Sequence, residues 1–132
     1  MGWRELLAVL LGGAIGTGLR LSIDTLFPHD DTTFGVATLA LNTVGAFLLA
    51  VLVARVWARA SSWVRAGLGA GVLGSFTTFS AVAVALVSLG AAGEWMLALL
   101  YLAATLVLGL AAATLGLRLA TPRTPQIDLV DE

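Results

Sequence analysis

The chain of 132 residues contains no cysteine, a single histidine and no lysine; all seven of its basic residues are arginine. Without thiols there are no disulfides and no thiolate metal sites. Charged residues make up 11% of the sequence, against about 25% in soluble domains. With a net charge of −1 and no basic cluster, the composition excludes an electrostatic footprint for nucleic acid. Catalytic sets are missing too. No Ser/His/Asp or Cys/His constellation falls at one depth, no pair of carboxylates lies inside an apolar run, and His29 stands beside Asp30 and Asp31 in a polar connection where a solvated role suffices. An enzyme is disfavoured on those grounds.

What is present is apolar. Hydrophobic residues reach 59% and the mean hydropathy is +0.99, above the ~45–50% apolar content of soluble domains. Four runs are each long enough to cross a hydrocarbon core of about 30 Å as helix. They cover roughly Leu6–Phe27, Phe34–Val56, Val64–Leu89 and Trp95–Leu119. The first continues without a small-residue cleavage site, so it reads as a membrane helix and not as a signal peptide. Trp3, Trp57, Trp63 and Trp95 fall near span ends, where interfacial anchors belong. The expected organisation is one four-helix membrane domain over residues 1–120, followed by a disordered cytoplasmic tail over 121–132 that holds two prolines and three carboxylates.

Arginine placement sets an expected orientation. With the N-terminus inside, the inner segments hold Arg4, Arg55, Arg59, Arg65, Arg118 and Arg123, whereas the outer ones hold only Arg20. That bias predicts a multi-pass protein of the cell membrane with both termini cytoplasmic. Gly12 and Gly16 on the first span, and Gly67, Gly71 and Gly74 on the third, have spacings that let helix backbones meet. They serve either packing within the chain or an oligomer interface along the third helix.

The third run is interrupted by Gly74-Ser75-Phe76-Thr77-Thr78-Phe79-Ser80. Polar or non-helical backbone is tolerated at mid-membrane only where it is buried in protein or lines a cavity. The candidate polar lining is neutral: Thr38, Asn42, Ser75, Thr77, Thr78, Ser80, Tyr101 and Thr105. Thr38 and Asn42 share one helix face, as do Tyr101 and Thr105. Hydroxyl and amide donors without a carboxylate suit an anion that must shed water better than a proton-coupled cation. A phenyl ring is positive at its edge, so Phe76 or Phe79 turned edge-on could contact a small anion. Carbonyls freed by a broken helix could bind a cation. Arg20 is either a functional intramembrane charge or a side chain snorkelling to the outer interface.

Three stretches carry a resemblance. They are Gly12-Gly13-Ala14-Ile15-Gly16 with Arg20, Ala37 through Phe47 including Thr38-Leu39-Ala40-Leu41-Asn42, and Gly71 through Ser80 with its Thr-Thr-Phe-Ser element. In these the chain resembles the Fluc/CrcB family of fluoride ion channels across all four spans. The resemblance implies an all-α membrane protein whose third helix breaks mid-membrane, assembled as an antiparallel, dual-topology dimer. It implies passive export of cytoplasmic fluoride, which reduces fluoride toxicity, and a central structural Na⁺. Carried over by position, Gly74 and Thr77 supply the Na⁺-binding carbonyls and Asn42 the pore amide. Thr38, Phe79, Ser80, Tyr101 and Thr105 complete the fluoride path, with Phe79 the first of two ring-edge ligands. Arg20 matches an arginine at the end of the family's first helix.

Two positions depart from the pattern. Val82 stands where the second ring is expected, and Gly109 where a hydroxyl is common. A homodimer would then lack one ring in both pores, and dual insertion conflicts with the arginine bias. The favoured expectation is a heterodimer with a four-span paralogue of opposite orientation, the alternative an ordinary homodimer. A small multidrug-type exporter is weaker, because Glu5, Asp24 and Glu94 all lie near span ends. A non-transporting scaffold would account for the glycine faces but not for the Thr-Thr-Phe-Ser interruption.

Overall fold

In hydrocarbon a chain without charge or proline satisfies its backbone by forming continuous helix, and the apolar runs do so. The computed structural model describes residues 2–27 and 34–121. Pro28, His29, Asp30, Asp31, Arg123 and all of the expected tail except Thr121 lie outside the described residues. Helix α1 is Trp3–Leu26, α2 is Val36–Arg55, α4 is Phe79–Ala91 and α5 is Trp95–Ala120. Between α2 and α4, α3 covers residues 62–76, built from Ser62–Arg65, a π-helical stretch Ala66–Leu73 and a last turn Gly74–Phe76. By length and composition these make four candidate membrane spans, the third being Ser62–Ala91.

The ends have local causes. Helix α1 begins at Trp3 because the Glu5 carboxylate accepts the Gly2 N–H, while Glu5 and Leu6 N–H both donate to the Gly2 carbonyl. Helix α4 stops at a glycine: Gly93 has φ +80°, and Glu94 N–H reaches back to Leu89 O at 2.9 Å. That is the six-to-one bond of a Schellman ending, which needs a residue free to take a left-handed conformation. The turn brings Trp95 onto Gly90, where an added Cβ would stand 3.2 Å from the indole.

The spans associate as pairs, α1 along α3 and α2 along α5, with α4 against α5. Glycines set the first pair. A Cβ on Gly12 would overlap the Gly67 carbonyl, and one on Gly16 the Val72 carbonyl. Gly71 in turn lies 3.1 Å from the Gly12 Cα when given a Cβ. The glycine faces of the first and third spans therefore meet each other inside the chain. Close approach coincides with the π-helical winding, a wider coil that is rare and marks local strain or function. On the other pair, Gly116 admits the Phe47 carbonyl.

Only 11% to 22% of each span is buried, so most apolar surface faces outward, as expected for a thin bundle in lipid or against a partner. A small core forms around Val82, Ala85 and Tyr101, flanked by Phe34, Leu39 and Leu86. The α2–α5 pair is also tied at its ends. Arg55 Nε donates to Ala120 O and Nη2 to Leu119 O, both at 3.1 Å. These are the last carbonyls of α5, at the negative end of its dipole. Arg55→Gln is expected to cost about 1–3 kcal/mol, read as a lower thermal unfolding midpoint in detergent than for Arg59→Gln, a change at an exposed residue.

Candidate functional site

Helical hydrogen bonding stops at Thr77 and Thr78, whose backbones are extended: φ −82°, ψ 151° and φ −146°, ψ 118°. Helix α3 closes on Leu73 O, which accepts from both Thr77 N at 3.0 Å and Thr77 Oγ1 at 2.9 Å. Helix α4 opens with Thr78 as its N-cap, Oγ1 accepting from Ala81 N at 3.2 Å. This leaves the Thr78 peptide groups without helical partners, at several kcal/mol each in hydrocarbon. Asn42 resolves both. Thr78 N–H donates to Asn42 Oδ1 at 2.8 Å, and Asn42 Nδ2 donates to Thr78 O at 2.9 Å. One primary amide thus imitates a peptide neighbour across the gap between α2 and the interruption.

Counting protons shows which donors remain. A primary amide has two N–H groups, so Asn42 keeps one after serving Thr78. The Thr78 and Ser80 hydroxyls lie 2.9 Å apart. Either hydroxyl can donate to the other; when buried Thr78, whose Oγ1 accepts from Ala81 N, donates to Ser80, the proton of exposed Ser80 is left for an outside acceptor. Thr43 and Thr105 are engaged differently: their hydroxyls donate to Leu39 O at 2.7 Å and Tyr101 O at 2.8 Å within their own helices. Phe79 projects from the start of α4 with 73% of its surface exposed. Asn42, Thr77, Thr78 and Phe79 line one end of a groove of about 680 Å³ that runs along α2 and α3.

Acceptors are also released. In an unbroken helix Gly74 O would receive Thr78 N–H, and Thr77 O would receive Ala81 N–H. Those donors go to Asn42 and to the Thr78 hydroxyl. Gly74 and Thr77 therefore present carbonyl oxygens stripped of their helical donors, hard ligands of the kind that broken membrane helices offer to Na⁺. Among the described residues no group of His, Asp or Glu side chains could hold a metal. The donor set fits an alkali cation and not a transition metal.

Other predicted positions gather behind the groove. Thr38 and Tyr101 are buried and their side chains are within hydrogen-bonding reach of one another. Tyr101 OH also donates to Gly35 O at 3.4 Å, and its ring meets Phe34 edge to face at 5.0 Å. Val82 is 0% exposed against this group, so the position expected to carry a second ring belongs to the subunit's own core. Phe76 faces a separate groove with Phe27 and Phe34. Arg20 is remote from all of these and pairs with Asp24 on α1, Nε to Oδ2 3.7 Å. One participant had no signal of its own: Gly45, where a Cβ would collide with the Thr77 methyl. It lets α2 lie close enough for Asn42 to reach Thr78.

Relatives share this chain over most of its length. A fluoride-specific ion channel FluC of Xanthomonas euvesicatoria pv. vesicatoria is 39% identical over 119 residues, covering 88% of this chain and 90% of that protein. The fluoride-specific ion channel FluC 1 of Mycobacterium tuberculosis is 38% identical over 116 residues, covering 86% and 88%. FluC 3 of Streptomyces avermitilis is 42% identical over 115 residues, covering 85% of this chain and 56% of that longer protein. The family described as CrcB-like protein, Camphor Resistance (CrcB), matches residues 7–117. That match takes in all four spans and the Asn42-clamped interruption, and the chain belongs to the CrcB-like family.

Proposed function

We propose that this chain is a subunit of a fluoride-selective channel that lets cytoplasmic fluoride leave the cell down its electrochemical gradient. The observation that carries the proposal is the interruption at Thr77 and Thr78, where neutral donors and a phenyl ring sit together with no carboxylate. Fluoride is small and strongly hydrated, so selective passage means replacing its water shell. The spare Asn42 N–H, the Ser80 hydroxyl and the positive edge of Phe79 are replacements, each weak enough alone to permit exit. Thr38, Tyr101 and Thr105 continue the polar line along α2 and α5. The Tyr101 and Thr105 hydroxyl protons are engaged within the protein, so these two serve by reorientation. HF diffusing into a cell dissociates there and traps fluoride; the inside-negative potential then drives the anion out without ATP or proton coupling.

In this reading the subunit works as half of an antiparallel dimer. In this arrangement Phe79, exposed at the start of α4, would face the partner subunit. Na⁺ at the dimer centre would be held by the Gly74 and Thr77 carbonyls and would offset the cost of an anion at that depth. A heterodimer with an oppositely oriented four-span paralogue is favoured over a homodimer. Val82 supplies no second ring, and the six-to-one arginine bias that places both termini inside conflicts with insertion of one chain in both orientations.

Fluoride efflux from liposomes, followed with a fluoride electrode, tests the assignment. The chain reconstituted with its paralogue is expected to release trapped fluoride within seconds while retaining chloride. Efflux from the chain alone would replace the heterodimer with a homodimer. Silence in both preparations would overturn the channel reading.

A further inference from the structure

The groove that ends at Asn42 and Phe79 has a second end. Trp57 and Arg65 line it there, and small or aliphatic residues such as Gly69, Ala70 and Leu73 form the wall between. Arg65 is the one charged residue on this lining, and no carboxylate lines it among the described residues. Its guanidinium has five N–H donors, and the bond from Nη1 to Trp57 O, at 3.5 Å, engages one of them weakly. The side chain is exposed. Arg55, at the end of α2, differs in being committed to the carbonyls of Leu119 and Ala120, and Arg59 and Arg118 do not line the groove.

We infer that Arg65 is a positioning residue for anions: it gathers fluoride at the mouth of the groove and feeds it toward the Asn42–Phe79 end. The inference rests on the channel reading above and adds to it the group that sets the working concentration range. A cation at the opening of a cleft with low-dielectric walls concentrates field lines along that cleft and raises the local concentration of counter-ions. The thirteen steps from Arg65 to Thr78 span at most about 20 Å at an α-helical rise, up to about two Debye lengths at 0.1 M salt. Arg65 therefore acts on capture and leaves passage through the interruption to the donors there. Loss of its charge should raise the fluoride concentration at half-maximal flux and leave the maximal flux little changed. The effect should shrink as inert salt is added.

The absence of native cysteine allows a test of charge sign at a single atom. Arg65→Cys is reconstituted in the same form that conducts as wild type, and its thiolate is treated with a methanethiosulfonate. The thiolate displaces methanesulfinate and forms a mixed disulfide, carrying either an aminoethyl cation or a sulfonatoethyl anion. The expected result is a half-saturating fluoride concentration raised roughly five- to tenfold in the unmodified variant. The cationic adduct restores it to near wild type and the anionic adduct raises it further. Arg65→Lys should behave as wild type, and high salt should compress all of these differences. If wild type conducts but the two adducts give equal half-saturation, Arg65 is a structural residue and the inference is overturned while the channel reading stands. If wild type itself is silent, the channel reading falls and takes this inference with it.

Discussion

Asn42→Ala is expected to lower fluoride efflux from liposomes about a hundredfold or more. The substitution removes two hydrogen bonds that no neighbour replaces, those to the Thr78 N–H and the Thr78 carbonyl. Each buried group left unpaired costs about 1–3 kcal/mol, and in a membrane interior the upper end applies. The third span then has two ways to recover. It can extend α3 through Thr77 and Thr78, which restores helical bonds to the Gly74 and Thr77 carbonyls and abolishes the candidate cation site. Or it can admit water, which removes the dry constriction that selectivity needs. Both outcomes disable conduction, and the loss of the spare Asn42 N–H adds to either. A total of 3–4 kcal/mol corresponds to roughly 10²–10³ in rate. Asn42→Asp does not rescue it. A carboxylate still accepts from Thr78 N–H, but when ionised it faces the Thr78 carbonyl without a proton, carries a costly charge at that depth and repels an anion, so it should be equally silent and no more stable. Flux within about threefold of wild type in the alanine variant would sink the clamp, because nothing else described near Thr78 can take over both bonds.

The parts of this arrangement differ in how far the amino-acid string reveals them. The four spans are legible because an uncharged apolar run in lipid has one good backbone solution. The glycine faces are legible as close-approach surfaces, but their partner is not: Gly12 and Gly16 meet Gly67 and Val72 through backbone atoms, and spacing alone does not say which helix a small residue faces. The π-helical stretch Ala66–Leu73 leaves no periodic signature, since an alternation of glycine with small residues is compatible with several windings. The reciprocal Asn42–Thr78 pair joins residues 36 apart and depends on Gly45 tolerating the Thr77 methyl. A reader of the sequence sees a costly mid-span amide and a threonine pair without the geometry that joins them. Val82 is the sharpest case. The family resemblance implies a ring at this position, whereas Val82 is buried with Tyr101 and Ala85, where an aliphatic residue is at home. A phenyl group added at that point would overpack the core, typically at 1–3 kcal/mol. Arg55 is legible as an inner charge but not as the tie between α2 and the end of α5.

Gly16→Val is expected to give the largest loss of folded protein of any single change on α1, together with loss of flux from whatever folds. A Cβ at position 16 overlaps the Val72 carbonyl oxygen and stands 3.0 Å from its carbon and 3.1 Å from Phe76 N. All three are backbone atoms, so no rotamer change relieves the overlap, and a branched side chain adds to it. Helix α1 must therefore separate from α3 along the stretch where their backbones touch. Without a hydrophobic driving force between helices in lipid, that contact is what holds the pair together, and overpacking of this kind costs about 1–3 kcal/mol or more. The damage propagates to function because Val72 and Phe76 precede the interruption directly: pushing them outward moves Thr77 and Thr78 away from Asn42. Gly18→Ala and Gly109→Ala are the matched controls, since an added Cβ meets nothing within 4 Å at either position. On a helix, alanine in place of glycine stabilises by up to about 1 kcal/mol, so both should unfold at or above the wild-type temperature. Thermal unfolding in detergent and fluoride efflux, measured on the three variants side by side, decide the matter. If Gly16→Val unfolds within two or three degrees of Gly18→Ala, α1 and α3 do not touch through their backbones in the membrane, and the route by which α1 positions the interruption has to be abandoned.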